Sequence, residues 1–183
     1  MAKSTKTSWQ QGLVKRMNDP DAVVTSDDLV TVINDLFPKA EVHWLVLPKE
    51  NISSLTGLKK DHIDLLRHMK RAAQTAIKEE GHTDKKFKMG FHAEPSMSRL
   101  HMHVISDDFN SMCLKHKKHW NSFTTDFFLK PEDVIESLET HGKVCILTPA
   151  QCKTLIAAPL KCHKCDYKPK NMPDLKKHIL SHI

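Results

Sequence analysis

The sequence predicts an α+β fold in which a mainly antiparallel sheet with flanking helices is followed by a small C-terminal module of the two-cysteine, two-histidine type. Segments with strand-like patterns occur as two pairs, one β-branched and apolar and the other alternating in polarity, on either side of a single long amphipathic segment. After Pro159 the composition shifts to Cys, His and Lys. We therefore place a domain boundary at residue 158, between domains 1–158 and 159–183.

The first predicted elements are a short helix and a hairpin-like pair of strands. Residues 8–17 predict the helix, with Ser8 as its N-cap and Pro20 just beyond its end. Residues 29–33 (LVTVI) and 42–48 (VHWLVLP) flank the turn-like segment NDLFPK, which favours pairing of these two strands.

The longest predicted helix runs from Leu58 to Glu80, where apolar residues recur at three-to-four spacing and Gly81 follows as a candidate C-cap. Residues 86–92 and 99–106 then alternate in polarity, so we expect them to form a second pair of strands.

Three shorter elements complete the larger domain. Residues 123–129 (FTTDFFL) predict a strand, residues 131–142 a helix capped by Gly142, and residues 149–158 a shorter helix. Trp120 is expected in the core rather than at a contact surface.

The charge balance predicts an anionic partner without identifying it. Twenty-eight Lys and Arg against 22 Asp and Glu give a net charge of +6 and a pI near 9.0, which suits nucleic acid but also plain solubility. No apolar run follows the N-terminal lysines and no stretch approaches the ~20 residues of a bilayer span, so neither secretion nor a membrane partner is expected. An odd number of cysteines, five, favours metal ligands and reduced thiols in the cytosol or nucleus.

The C-terminal module carries the spacing C-x2-C-x12-H-x3-H, typical of a tetrahedral zinc site with the ligands Cys162, Cys165, His178 and His182. Pro173 and Asp174 suit the first turn of the helix that holds the histidines, and Leu175 supplies a minimal core. Four protein ligands leave no open coordination position, so the single predicted zinc ion is structural. The module's lysines, including Lys176 and Lys177, favour phosphate backbones, with a merely solvated basic face as the alternative.

The segment SMSRLHMHVISDDF, residues 96–109, indicates a chemical site. On a strand, Arg99, His101 and His103 would share one face while the intervening Leu100, Met102 and Val104 face the core. Neutral imidazole is a nucleophile near pH 7 and forms a labile phosphoramidate with phosphorus, which suits phosphoryl or nucleotidyl transfer. Metal binding is the alternative, with His43 and His92 as candidate further ligands.

Three segments carry a resemblance to a known family. GFHAEPSMSRLHMHVIS resembles the active-site segment of the histidine triad superfamily, and INDLFPKAEVHWLVLPK resembles its other nucleotide-pocket segment. CLKHKKHWNSF, followed by the finger, narrows the similarity to the aprataxin family, from about Trp9 to the C-terminus. The resemblance implies a histidine triad domain that removes AMP from abortive ligation intermediates at DNA breaks and restores a 5′-phosphate end.

The resemblance also implies roles for individual residues. His101 matches the nucleophile that forms an AMP-histidine intermediate, from which water frees AMP as the product, and no catalytic metal is required. His103 would orient or stabilise the phosphate, while His43 and His92 would donate to phosphoryl oxygens. Further matches are Ser96 to a phosphate contact, Asp35 to a ribose contact, Lys39 to a pocket lysine, Lys118 to a lysine at the DNA end, and Trp9 to a wedge on the terminal base pair. Turn capping by Ser96, solvation of the lysines and packing of Trp9 remain alternatives.

Two departures from the family pattern bear on function. Arg99 stands where the superfamily often has a third histidine. A forkhead-associated domain does not fit ahead of Trp9 in this sequence, so recruitment to phosphorylated repair scaffolds is not predicted. The expected partner is nicked or broken duplex DNA with a 5′-adenylate, with RNA–DNA junctions left open, and the expected compartment is the nucleus.

Two other functions are compatible with parts of the sequence. A general hydrolase of nucleoside phosphoramidates or dinucleotide polyphosphates explains the histidines but not the finger, the basic excess or Trp9. A non-catalytic nucleic-acid-binding adaptor explains the finger but gives no reason to retain four imidazoles.

Overall fold

The computed structural model describes residues 12–183, so the expectations for Ser8 and Trp9 lie outside the described residues. Within this range a six-stranded sheet has the order β1-β2-β3-β5-β4-β6, and every neighbouring pair is antiparallel. The strands are β1 Val23–Ser26, β2 Val30–Asn34, β3 His43–Pro48, β4 Phe87–His92, β5 Met102–Ser106 and β6 Phe128–Leu129. The predicted α+β class with an antiparallel sheet is confirmed.

Helices flank the sheet and form the C-terminal region. They are α1 Gly12–Met17, α2 Ile63–Glu79, α3 Lys117–Thr124, α4 Pro131–His141, α5 Pro149–Ala157 and α6 Met172–Ile179, with 3₁₀ turns at Leu55–Gly57, Lys60–His62 and Leu180–His182. Gly142 ends α4 at φ +70°, where its N–H donates to Leu138 O, as expected of a left-handed C-cap. None of the helices within residues 12–183 is long and apolar enough to cross a bilayer.

The register of the central strands decides which side chains share a face of the sheet. His43 pairs with Ile105 and Leu45 pairs with His103 across β3 and β5, while Gly90 of β4 also pairs with His103. Paired residues project to the same side of a sheet. His43 and His103 therefore lie on one face, which we call the histidine face.

The opposite face packs against α2 and forms the main core. α2 contributes Leu66, Met69, Ala73 and Ala76, whereas Ile63 and Ile77 of the predicted apolar stripe are only partly buried. The strands contribute residues that alternate with the histidines, chiefly Val32, Trp44, Val46, Met102 and Val104. Burial of each large apolar side chain stabilises the fold by roughly 1.5–3 kcal/mol, so this layer anchors the strands that carry the histidine face.

Two predicted boundaries are wrong by several residues. α2 begins at Ile63 rather than Leu58, because the preceding residues form 3₁₀ turns in which Lys59 N–H donates to His62 Nδ1. The strand expected from Arg99 begins only at Met102, since Arg99 has φ +122° and leaves the extended conformation.

The strand expected over residues 123–129 is largely wrong, and β1 and α3 are additional elements. α3 extends to Thr124, whose hydroxyl donates to Trp120 O, and only Phe128–Leu129 pairs with β4. Thr and Phe favour strands locally, but burial of Trp120 and Phe123 against the rest of the fold stabilises the helix instead.

The C-terminal finger shares a hydrophobic core with the larger domain. Leu175 and Ile179 of α6 are buried in one cluster with Ile105, Phe109 and Trp120. Trp120 is fully buried, as expected, and its indole Nε1–H donates to Lys161 O at 2.9 Å. Leu175 is therefore part of a core that extends well beyond the finger, and the boundary at residue 158 stays a prediction about sequence domains.

Candidate active site and zinc centre

Four imidazoles converge on the histidine face. His43 begins β3, His92 ends β4, His103 lies on β5, and His101 immediately precedes β5. The ring centroids of His103 lie 5.2 Å from His43, 4.2 Å from His92 and 5.0 Å from His101. The antiparallel neighbours β3, β5 and β4 thus bring together all four histidines singled out from the sequence. His101 and His103 are both at least nine-tenths buried.

A backbone carbonyl fixes the tautomer of His101. Its Nδ1 lies 2.7 Å from Arg99 O, and a carbonyl oxygen can only accept, so Nδ1 carries the proton. In the neutral ring the lone pair is then on Nε2, the nitrogen that can attack an electrophile. Arg99, which supplies this carbonyl, has a positive φ of +122°.

A second chain of hydrogen bonds sets the tautomers of His43 and His103. Lys39 N–H donates to His43 Nδ1 at 3.0 Å, so the His43 proton is on Nε2. His43 Nε2–H in turn donates to His103 Nδ1 at 3.0 Å, which leaves the His103 proton on Nε2. Within residues 12–183, His103 Nε2 and His92 Nε2 are buried and have no hydrogen-bond partner. Such atoms are costly unless a ligand satisfies them.

Burial is the main cause that lowers the pKa of every imidazole on this face. The pKa of His43 falls to about 4 although the carboxylate of Asp35 opposes the shift. The pKa of His92 falls to about 3. Desolvation also lowers the pKa values of His101 and His103, with the neighbouring histidines contributing further to His103. The rings are therefore neutral at pH 7.

The histidines line an open cavity of about 640 Å³. The predicted nucleotide-binding residues Asp35, Lys39 and Ser96 line the same cavity. Its rim includes Leu36 and Phe37, whose side chains are more than half exposed and offer an apolar surface for a flat ring. The volume and the mixture of apolar walls with a few polar groups suit a mononucleotide.

Sequence reasoning missed three polar residues of the cavity wall, which are Arg16, His119 and Ser122. His119 lines the cavity from α3, and the pKa of its ring is lowered to about 4 by partial burial and nearby lysines. Arg16 of α1 also lines it and donates to Asn34 O at 2.6 Å. The only sequence feature that pointed to His119 was its position next to Lys118 in the segment LKHKKHW. Because the helix α3 was not predicted, the direction in which these side chains project could not be inferred.

Asp35, His43 and His103 also form a group close enough to hold a metal ion. A metal would require a free lone pair on His43 Nε2 and on His103 Nδ1. The Lys39 N–H contact instead keeps the proton of neutral His43 on Nε2, at 3.6 Å from the Asp35 carboxylate. This donor set fits a hydrogen-bond relay better than a metal site.

The zinc ligands predicted from the sequence do converge. Cys162, Cys165, His178 and His182 have ligand atoms within 4.8 Å of one another. Neighbouring Sγ and Nε2 atoms are 3.2–3.5 Å apart, close to the separations of about 3.3–3.5 Å that tetrahedral zinc bonds require. The residues therefore fit one structural zinc ion.

The lysines predicted to contact DNA differ in their surroundings. Lys118 and Lys177 are exposed. Lys176 is partly buried, and its ammonium donates to Ser111 O at 2.9 Å, a contact between the finger and the larger domain. Lys176 thus has a structural role in addition to the predicted one, and Trp9 lies outside the described residues.

The sequence matches two family models and several known proteins. The family described as scavenger mRNA decapping enzyme C-term binding matches residues 8–119, and the C2HE / C2H2 / C2HC zinc-binding finger matches residues 124–183. Aprataxin of Danio rerio is 49% identical over 176 residues, which cover 96% of this chain and 54% of that protein. The aprataxin-like protein of Saccharomyces cerevisiae is 32% identical over 215 residues, covering 94% of each chain. The crystal structure of the aprataxin ortholog Hnt3 in complex with DNA superposes with a TM-score of 0.75 at 25% identity, covering 96% of this chain and 94% of that one.

Fold, histidine face and matches together define a histidine triad domain joined to a zinc finger. More narrowly, the chain belongs to the aprataxin family. It spans about half the length of the Danio rerio relative, 54%.

Proposed function

We propose that this protein is a DNA 5′-adenylate hydrolase, which removes AMP from abortive ligation intermediates and restores the 5′-phosphate. The observation that carries the proposal is the fixed tautomer of His101, whose Nε2 is free to attack, together with two buried imidazole nitrogens on the same face that have no partner within residues 12–183. Membership of the aprataxin family supports the choice of substrate.

The reaction would proceed in two displacements at the phosphorus of AMP. In the first, His101 Nε2 attacks that phosphorus, the bond to the bridging oxygen breaks, and the DNA leaves with its 5′-phosphate. The adduct carries a positive ring whose Nδ1–H stays bonded to Arg99 O, so the carbonyl stabilises it. In the second, the oxygen of a water molecule attacks, the electron pair of the P–N bond returns to His101, and AMP leaves with a proton released.

Neighbouring imidazoles would stabilise the charge that develops on the phosphoryl oxygens. His103 Nε2–H is held in place by the relay from Lys39 and His43, so it needs no reorganisation during the reaction. His92 Nε2 has the same need for a partner and lines the same cavity. No step of this mechanism requires a catalytic metal.

DNA would approach across the mouth of the cavity. Lys118 and Lys177 offer exposed positive charge for the phosphate backbone, and Lys39, Ser96 and Asp35 would hold the AMP. The Hnt3 complex with DNA supports this partner. We further propose that the protein acts in the nucleus.

Mass spectrometry of an acid-quenched reaction tests the proposal. A nicked duplex with a 5′-adenylate is mixed briefly with the protein, and AMP linked to a small amine serves as the comparison substrate. We expect a transient AMP adduct on His101 that forms much faster with the duplex. Equal rates would favour a general nucleotide hydrolase, and no adduct with either substrate would leave only nucleic-acid binding.

The rate of adduct formation is also expected to depend on pH in a specific way. Burial lowers the pKa of His101 below its ordinary value of 6.5, so Nε2 keeps its lone pair in mildly acidic solution. The single-turnover rate should therefore stay constant down to about pH 6.5 and fall only at lower pH. A fall in the rate with a midpoint above pH 6.5, the ordinary pKa of histidine, would contradict the assignment of His101 as the nucleophile.

A further inference from the structure

Arg99 contacts the end of β3 rather than the cavity. Its Nη1–H donates to Asn51 Oδ1 at 2.8 Å. Its Nη2 donates to Pro48 O at 2.8 Å and to Lys49 O at 3.0 Å. All three partners are uncharged acceptors, and Arg99 is not among the residues that line the cavity.

The backbone of Arg99 is strained and is held from both sides. Its φ of +122° is a conformation that residues with a side chain rarely adopt, so the backbone here is strained. Arg99 N–H donates to Ser53 O and Leu100 N–H donates to Ile52 O, both at 2.8 Å. The guanidinium adds three bonds to the same stretch of chain, residues 48–53.

This strain has a direct consequence for His101. The carbonyl of this strained residue is the acceptor of His101 Nδ1–H. Relaxation of Arg99 to an extended conformation would move that carbonyl and leave both the ring position and its tautomer unspecified. A histidine at this position is shorter and has at most two donors, so it could not make the same three bonds.

We propose that Arg99 is a positioning residue for the nucleophile: its guanidinium, anchored on the end of β3, holds the strained backbone whose carbonyl orients His101. The inference rests on the proposed function for its kinetic consequence, but its structural consequence is independent of any substrate. Arg99 acts through His101 and is not itself catalytic.

Three substitutions in the full, zinc-loaded chain separate the effect of the guanidinium hydrogen bonds from the effect of the backbone strain. Arg99→Met removes the bonds and keeps the strain, Arg99→Gly removes both, and Arg99→Lys keeps a single donor group. Arg67→Met is the matched control, since Arg67 is an exposed arginine of α2 that pairs with Asp64 and Glu139 on the protein surface.

We expect Arg99→Met to slow adduct formation by about 10–100-fold, the scale of a small misplacement of a reacting group, with little change in substrate affinity. Arg99→Gly should lose less, because glycine adopts the same φ without strain, and Arg67→Met should match the wild type. Imidazole ¹⁵N NMR of the free protein should show His101 protonated at Nδ1 in the wild type and a mixture of tautomers in Arg99→Met.

A wild-type tautomer together with a wild-type adduct rate in Arg99→Met would overturn the inference. If Arg99→Met fails to fold, Asn51→Ala removes one anchor and should shift both readouts in the same direction by a smaller amount; no shift there would also overturn it. If the wild type forms no adduct at all, the proposed function fails, while the NMR comparison still decides the role of Arg99.

Discussion

Replacement of His101 by alanine should abolish the AMP adduct and lower turnover on an adenylated nick by about 10⁴-fold or more, the scale seen when a nucleophile is removed. The imidazoles of His43 and His103 cannot replace it. His43 Nε2 and His103 Nε2 carry protons in the relay that starts at Lys39, so neither presents a lone pair to the cavity. The loss should be in the first chemical step, measured by single-turnover quench.

DNA binding by the same variant should change little. Two of the predicted DNA contacts, Lys118 and Lys177, lie on α3 and α6, whereas His101 immediately precedes β5. Fluorescence anisotropy with a nicked duplex measures binding, and His141→Ala, an exposed histidine at the end of α4, is the control. Turnover that survives His101→Ala would refute the assigned nucleophile, and lost binding would indicate a folding defect instead.

The strands that carry the site were predictable because their sequence signal is local. Residues 42–48 and 99–106 are rich in β-branched and apolar residues, and their alternation already separates His101 and His103 from Met102 and Val104. Once the strands pair in register, the histidines must meet on one face.

The parts that were not predictable depend on contacts between distant segments. α3 carries Trp120, Asn121 and Phe123, a composition with weak helix preference, and its stability comes from packing and from the two bonds that Asn121 Nδ2 donates to Ile156 O and Ala158 O. Likewise, the residues around Arg99 in the sequence do not indicate a positive φ. That conformation depends on the hydrogen-bond acceptors at the end of β3 that Arg99 contacts.

The hydrogen bonds that set the tautomers of the histidines could not be predicted from the sequence for the same reason. A histidine pattern indicates which rings are present, but the position of each proton follows from a backbone N–H of Lys39 and a backbone carbonyl of Arg99. In the proposed mechanism these two groups make His101 the nucleophile and His103 a donor, a distinction that the spacing of the histidines does not make.

Loss of zinc is expected to damage the larger domain as well as the finger. Chelation or Cys165→Ser would free α6, and with it Leu175 and Ile179, which are buried against Phe109 and Trp120. Exposure of two such side chains costs roughly 3–6 kcal/mol, which lowers the melting temperature of a chain of this size by on the order of 10 °C. Cys145→Ser, an exposed cysteine outside the zinc ligands, is the control.

Loss of zinc should also slow adduct formation, because a short series of hydrogen bonds connects the finger to the histidine face. Lys176 of α6 bonds Ser111 O, and the Ser111 hydroxyl donates to Pro38 O at 2.6 Å, next to the Lys39 N–H that sets the His43 tautomer. Adduct formation from AMP linked to a small amine should therefore slow without zinc, although that substrate has no DNA to bind. If only the reaction of the duplex slowed, the finger would act solely in DNA binding. A slower reaction of both substrates would make it a structural support of the active site, because the shared core and polar contacts such as that of Lys176 with Ser111 connect the finger to the larger domain.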